Sequence, residues 1–163
     1  MPLVEINPIT GEFTMCGQTL GPNLMEADFL HSELGQVATE IRQSGSRRYY
    51  EAWGQVSPDL EIGFTLGFFP RGPLERISAQ FVKRGTRGSA WSKEIEREIK
   101  GFHDSWLADQ LGNPPYQFRW GKAFTILEPK WHSANIIIDY TRGTLSSIRL
   151  LATLRRFFSR LRR

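Results

Sequence analysis

The pair in this chain best suited to moving a proton is His103-Asp104, because a carboxylate beside an imidazole can support general-base chemistry. Adjacent residues of a helix point about 100° apart. The two therefore do not form a dyad with each other, and His103 is expected on the flank of its helix. The other histidines, His31 and His132, stand alone. There is no HExxH, no Cys/His spacing and no acidic triad, so no metal is expected. A single cysteine, Cys16, excludes both an internal disulfide and a zinc site shared with other cysteines, which suits a reducing compartment. A serine nucleophile needs an elbow such as G-x-S-x-G, and Gly45-Ser46 and Gly88-Ser89 lack the second glycine. No G-x-G-x-x-G or Walker pattern occurs, and Gly85-Thr86-Arg87-Gly88 reads as a loop, not a phosphate cradle. Neither a catalytic set nor a cofactor is expected.

Aromatic residues offer another chemistry, that of a binding face. Trp106 and Trp120 read as core. Trp131 lies in a turn beside Lys130 and His132, where core packing is less natural. Tyr50 and Trp53 have opposite parity, so on a regular strand one of them faces out. The candidate partner contacts are therefore Tyr50, Trp53, Lys130, Trp131 and His132.

Several elements must carry these residues. The run from Trp91 to Gly112 reads as one long helix. Ile95, Ile99, Phe102 and Trp106 fall on one face, which is expected to lie on a sheet. Ser92 caps its start, Glu94 and Glu96 suit the positive end, and Gly112 stops it. Leu3-Val4-Glu5-Ile6 and Glu12-Phe13-Thr14-Met15 flank a turn at Asn7-Pro8-Ile9-Thr10-Gly11, predicting a hairpin that ends at Gly21-Pro22. Asn23 and Glu26 have capping-box spacing, predicting a short helix over about 24–33 that ends near Gly35. Residues 36–45 are ambiguous.

Strand signals follow. Tyr49, Tyr50 and Trp53 favour a strand. Leu60, Ile62, Phe64, Leu66 and Phe68 alternate strictly, predicting a strand with one buried face. Gly63 and Gly67, on its other face, leave the backbone open to close packing, a bend or a partner. Ile77, Ala79 and Phe81 mark the next antiparallel strand. Tyr116, Phe118, Trp120, Phe124 and Ile126 share one parity, predicting a strand interrupted near Gly121-Lys122. Ala134, Ile136, Ile138 and Tyr140 share a face of the last strand.

The net charge of +4 is concentrated at one end. Residues 142–163 hold seven arginines and no acidic residue, leaving 14 basic against 17 acidic residues in the rest. A body of net charge −3 argues against nucleic-acid binding by residues 1–141. In the tail, Ile148, Leu151, Leu154, Phe157 or Phe158, and Leu161 recur at helical spacing between arginines, predicting a basic amphipathic helix. Arg149, Arg155, Arg156, Arg160, Arg162 and Arg163 are the candidate residues for an anionic surface. No secretory signal is recognised at the N-terminus, and no apolar run reaches the roughly 18 residues of a membrane span.

The order of landmarks resembles that of small proteobacterial proteins of the immunity-like class that accompanies bacterial toxins. The landmarks are Asn7-Pro8-Ile9-Thr10-Gly11, Phe29-Leu30 with Leu34-Gly35, Trp91-Ser92, Phe102-His103-Asp104-Ser105-Trp106-Leu107 with Leu111-Gly112, Trp120-Gly121, and Ile136-Ile137-Ile138-Asp139-Tyr140. The resemblance spans about residues 3–140. In that group a turn of the form Asp-Pro-basic-small-Gly precedes the last strand; Glu128-Pro129-Lys130-Trp131-His132-Ser133 stands there instead. The resemblance implies a binding protein; with the missing catalytic set and the mildly acidic body, the function expected is a non-enzymatic cytoplasmic protein of immunity type that blocks a partner toxin. The alternative is a membrane-surface or anion-associated module acting through the tail.

The fold class expected is α+β: an antiparallel sheet of about six or seven strands, one long helix on one face, a short N-terminal helix and the C-terminal basic helix. Residues 1–141 form the domain and 142–163 the tail.

Overall fold

The turn residues near the N-terminus act first. In a computed structural model that describes residues 4–15, 17–41, 47–84, 92–128 and 133–141, the Asn7 side chain accepts hydrogen bonds from the backbone N–H groups of Ile9 and Thr10 at 2.9 and 3.1 Å. This closes the expected hairpin of β1 (Val4–Ile6) and β2 (Phe13–Met15). A third strand, β3 (Gln18–Leu20), extends it into a small antiparallel sheet.

The single short helix expected next is split into α1 (Glu26–His31) and α2 (Glu33–Val37). Ser32 divides them. Its backbone is extended, and its hydroxyl oxygen accepts from the Gly35 N–H at 3.1 Å, capping α2. The expected capping box does not form. The helix starts with Met25, not Asn23, at the N-cap, and a Met side chain has no oxygen to cap it; the Glu26 carboxylate instead accepts from the Tyr50 hydroxyl at 2.7 Å.

The larger sheet has six antiparallel strands: β4 (Thr39–Ile41), β5 (Arg48–Ser57), β6 (Leu60–Phe68), β7 (Leu74–Lys83), β8 (Lys122–Glu128) and β9 (Ser133–Asp139). Their order is β4-β5-β6-β7-β9-β8. Between β7 and β8 runs the long helix α3 (Lys93–Leu111), capped as expected by Ser92, whose hydroxyl accepts from the Ile95 N–H. The alternation on β6 holds: Ile62, Phe64, Leu66 and Phe68 are all buried. They join Ile77, Ala79, Phe81, Ile136 and Ile138 in the core beneath the helices. Among the described residues the fold is α+β, with the six-strand sheet, the three-strand sheet, one long helix and short helices.

Two expectations fail here. The strand expected from Tyr116 begins only at Lys122. Residues 116–121 form a tight reversal in which the Phe118 N–H donates to the Gly121 carbonyl at 2.8 Å and the Phe118 and Trp120 rings stack. Gly121, at φ +152°, lies against the Asp139 backbone so closely that a Cβ there would collide with its carbonyl. The face of α3 is also rotated from the one expected. Ile95 and Phe102 are 45% and 47% exposed, while Glu96, His103 and Leu107 are buried. The cause is that α3 meets two sheets. Trp106 turns to Phe13 of the small sheet and Phe81 of the large one, and Gln110 accepts from the Ile6 N–H at 3.2 Å. Among the described residues, no helix is long and apolar enough to cross a membrane. The basic helix expected over 145–163 lies outside the described residues.

Candidate partner-binding site

His103 and Asp104 point in different directions. The described pairing of β7 with β9 stops at Ala79, so among the described residues the Phe81 N–H has no strand partner on that side. His103 takes the place of a strand: its Nε2 accepts from the Phe81 N–H at 3.1 Å. The ring is fully buried beside Phe81 and Phe102, and its Nδ1 meets no hydrogen-bond partner among the described residues. Burial lowers the imidazole to about 4, because a charge there would be desolvated. His103 is thus neutral and structural, not on the helix flank as expected.

Asp104 faces outward. Burial alone would raise its carboxyl, but the hydrogen bonds from Lys100, at 2.7 Å, and from Thr125 outweigh it and hold the group below the ordinary carboxylate value. It borders a groove of about 750 Å³ between α3, residues 114–117 and β8, walled mainly by Leu107, Pro115, Tyr116 and Phe124. His103 does not line this groove, so imidazole and carboxylate share no cavity. Among the described residues no three His, Cys, Asp or Glu side chains come together as metal ligands.

The aromatic candidates divide as their parity predicts. Tyr50 faces the core at 3% exposure, packed between Phe29 and Phe68 with ring centroids 5.3 and 5.8 Å away. Burial, together with the hydrogen bond to Glu26, raises its phenol. A residue so enclosed fixes α1 to the sheet instead of offering a contact. Trp53 lies on the opposite, outer face of the sheet and is half-buried. Lys130, Trp131 and His132, and the arginines at 149, 155, 156, 160, 162 and 163, lie outside the described residues.

The outer face explains the two glycines. Trp53 stands opposite Gly63, and Tyr49 opposite Gly67. A Cβ at Gly63 would lie 2.6 Å from the indole ring, and one at Gly67 2.9 Å from the Tyr49 ring. Each aromatic ring therefore lies on bare backbone, a packing that fixes it flat against the sheet. The Trp53 indole N–H donates to the Glu51 carboxylate at 2.9 Å, which holds the ring's rotation. Beside them, Thr65, Ser78, Gln80 and Asn135 complete a small polar cleft of about 80 Å³. Farther along the same face, Arg76 and Lys122 flank the Asp139 carboxylate at 3.3 and 4.0 Å. Burial would raise Asp139, but the hydrogen bonds from Thr141 and these two cations hold it low.

Comparison with known proteins adds one likeness. No protein-family model matches the chain, and no curated protein matches it. Among solved structures, a chain from Rhs1-CT in complex with cognate immunity protein RhsI1 is similar. The TM-score is 0.54 at 13% identity, and the match covers 86% of this chain and 88% of that chain. At that identity the shared property is the fold.

Sequence reasoning picked out Trp53 but missed Glu51, Gln80 and Asn135. The glycines at 63 and 67 were the available signal. They mark where the neighbouring strand sets an aromatic ring, but only the register says which ring.

Proposed function

We propose that this chain is a non-enzymatic, immunity-type protein that binds and blocks a bacterial toxin in the cytoplasm. The outer face of its six-strand sheet, around Trp53, is the docking surface. The observation that carries this reading is the fold likeness to a chain of a toxin–immunity complex, which extends over nearly the whole of both chains. The chemistry of the face supports it. A flat, preorganised tryptophan within a polar surround is the composition of an interface anchor, and its held rotamer reduces the entropy lost on docking. The separation of His103 from Asp104 removes the pair on which an enzymatic reading would rest.

The test is co-expression of the full chain with the products of neighbouring genes, read by co-purification and by growth. One neighbour should be toxic alone, harmless with this chain, and recovered bound to it. Trp53→Ala should weaken that complex by about tenfold or more. If no neighbour is toxic and none binds, the reading is wrong.

A further inference from the structure

The cleft beside Trp53 has a chemistry of its own. Among the described residues that line it there is one ionisable group, the Glu51 carboxylate, and no cation. The described partner of that carboxylate is a neutral indole N–H, which uses one of its two oxygens. Around it stand further acceptors: the hydroxyls of Thr65 and Ser78 and the amide oxygens of Gln80 and Asn135. Asn135 donates one amide N–H to the Ser133 hydroxyl at 3.0 Å and keeps its carbonyl oxygen as an acceptor. The arrangement presents acceptors around a negative charge, beside the indole ring. The cleft is small, at about 80 Å³.

From this charge and shape we infer that the cleft receives the guanidinium of an arginine side chain carried by the protein partner. A guanidinium is planar, always charged and brings five donors. It matches a carboxylate beside amide and hydroxyl acceptors. A carboxylate or phosphate would be repelled by Glu51. The identity of the partner rests on the immunity reading above, whereas the chemistry of the cleft does not.

The experiment needs no toxin, so its failure and the failure of that reading are separable. The ¹⁵N-labelled full chain is titrated with N-acetyl-arginine methylamide, and with the neutral citrulline analogue as control, while the Trp53 indole N–H resonance is followed. The arginine probe should shift that resonance saturably and the citrulline probe should not. Glu51→Gln should weaken the arginine response about tenfold or more, with the rest of the spectrum unchanged. Equal responses to both probes, no response to either, or an undiminished response in E51Q would overturn the inference. A second arm changes the seven tail arginines to glutamine in the full chain. If the Trp53 resonance then moves without any probe, the cleft belongs to the chain's own tail and not to a partner.

Discussion

His103 shows how one side chain can serve a sheet. A histidine nitrogen replaces the carbonyl that a missing strand pairing would have supplied to Phe81. That role requires the neutral ring with Nε2 unprotonated, so protonation opposes folding. With the folded value lowered to about 4, the unfolded chain binds the proton first as pH falls. Stability should therefore be full above about pH 6.5 and decline as pH falls toward 4, by about 3 kcal/mol in all. Urea unfolding at pH 7 and pH 4.5 measures this. His103→Gln, which keeps an acceptor but cannot titrate, should flatten the dependence in that window. The depressed Asp104 and Asp139 carboxyls act at lower pH, since their contribution is present above the ordinary carboxylate value and is lost as pH falls through the folded one. Gly63 supplies a second test at this scale. Gly63→Ala must displace the Trp53 ring, so the near-UV circular dichroism of the tryptophans should change, with a destabilisation of about 1–2 kcal/mol. An unchanged spectrum would mean that the ring does not lie on that glycine.

At the scale of the element, α3 is placed by competition between two surfaces. Its most hydrophobic stripe, through Ile95 and Phe102, is left half in solvent, and the buried stripe runs through Glu96, His103 and Leu107. Hydrophobicity alone would have turned the helix the other way. The hydrogen bond to Phe81, the Gln110 contact with β1 and the wedge of Trp106 between the sheets outweigh that preference. The assignment predicts unequal truncations. Leu107→Ala should destabilise by about 2–5 kcal/mol, as expected for an enclosed leucine, whereas Ile95→Ala should cost less than about 1 kcal/mol. Denaturant midpoints of the two variants decide this, and the reverse order would restore the face read from spacing.

At the scale of the molecule, the small sheet is tied to the large one by buried polar bonds. The Tyr140 hydroxyl donates to the Gly11 carbonyl at 2.7 Å, and the Trp120 indole N–H to the Pro8 carbonyl at 3.0 Å. Both acceptors lie in the β1–β2 turn. Tyr140 is fully buried, and burial raises its phenol far above the ordinary value, so it is a neutral donor at every physiological pH. Tyr140→Phe should destabilise by about 1–2 kcal/mol. Hydrogen exchange should find β1 and β2 opening together with β9 in the wild type and earlier than β9 in this variant. Early opening of the small sheet in the wild type would show that these bonds do not couple the two sheets.

Local signals were enough for several of the elements. Strict alternation identified β6, the Asn7–Gly11 turn identified the first hairpin, and Ser92 with Gly112 bounded α3, because these follow from short-range backbone chemistry. The opposite parities of Tyr50 and Trp53 likewise required opposite faces. The sequence alone did not say which of the two would lie in the core, how α3 would be rotated, that 116–121 would fold back, or that His103 would complete a strand. Each of these depends on a partner distant in the chain: Phe29 and Phe68 for Tyr50, Phe13 for Trp106, Asp139 for Gly121, Phe81 for His103. Spacing along one segment carries no information about such partners. The cleft at Glu51 belongs to the same class, since six strand residues on β6, β7 and β9 reach it only through the register of the sheet.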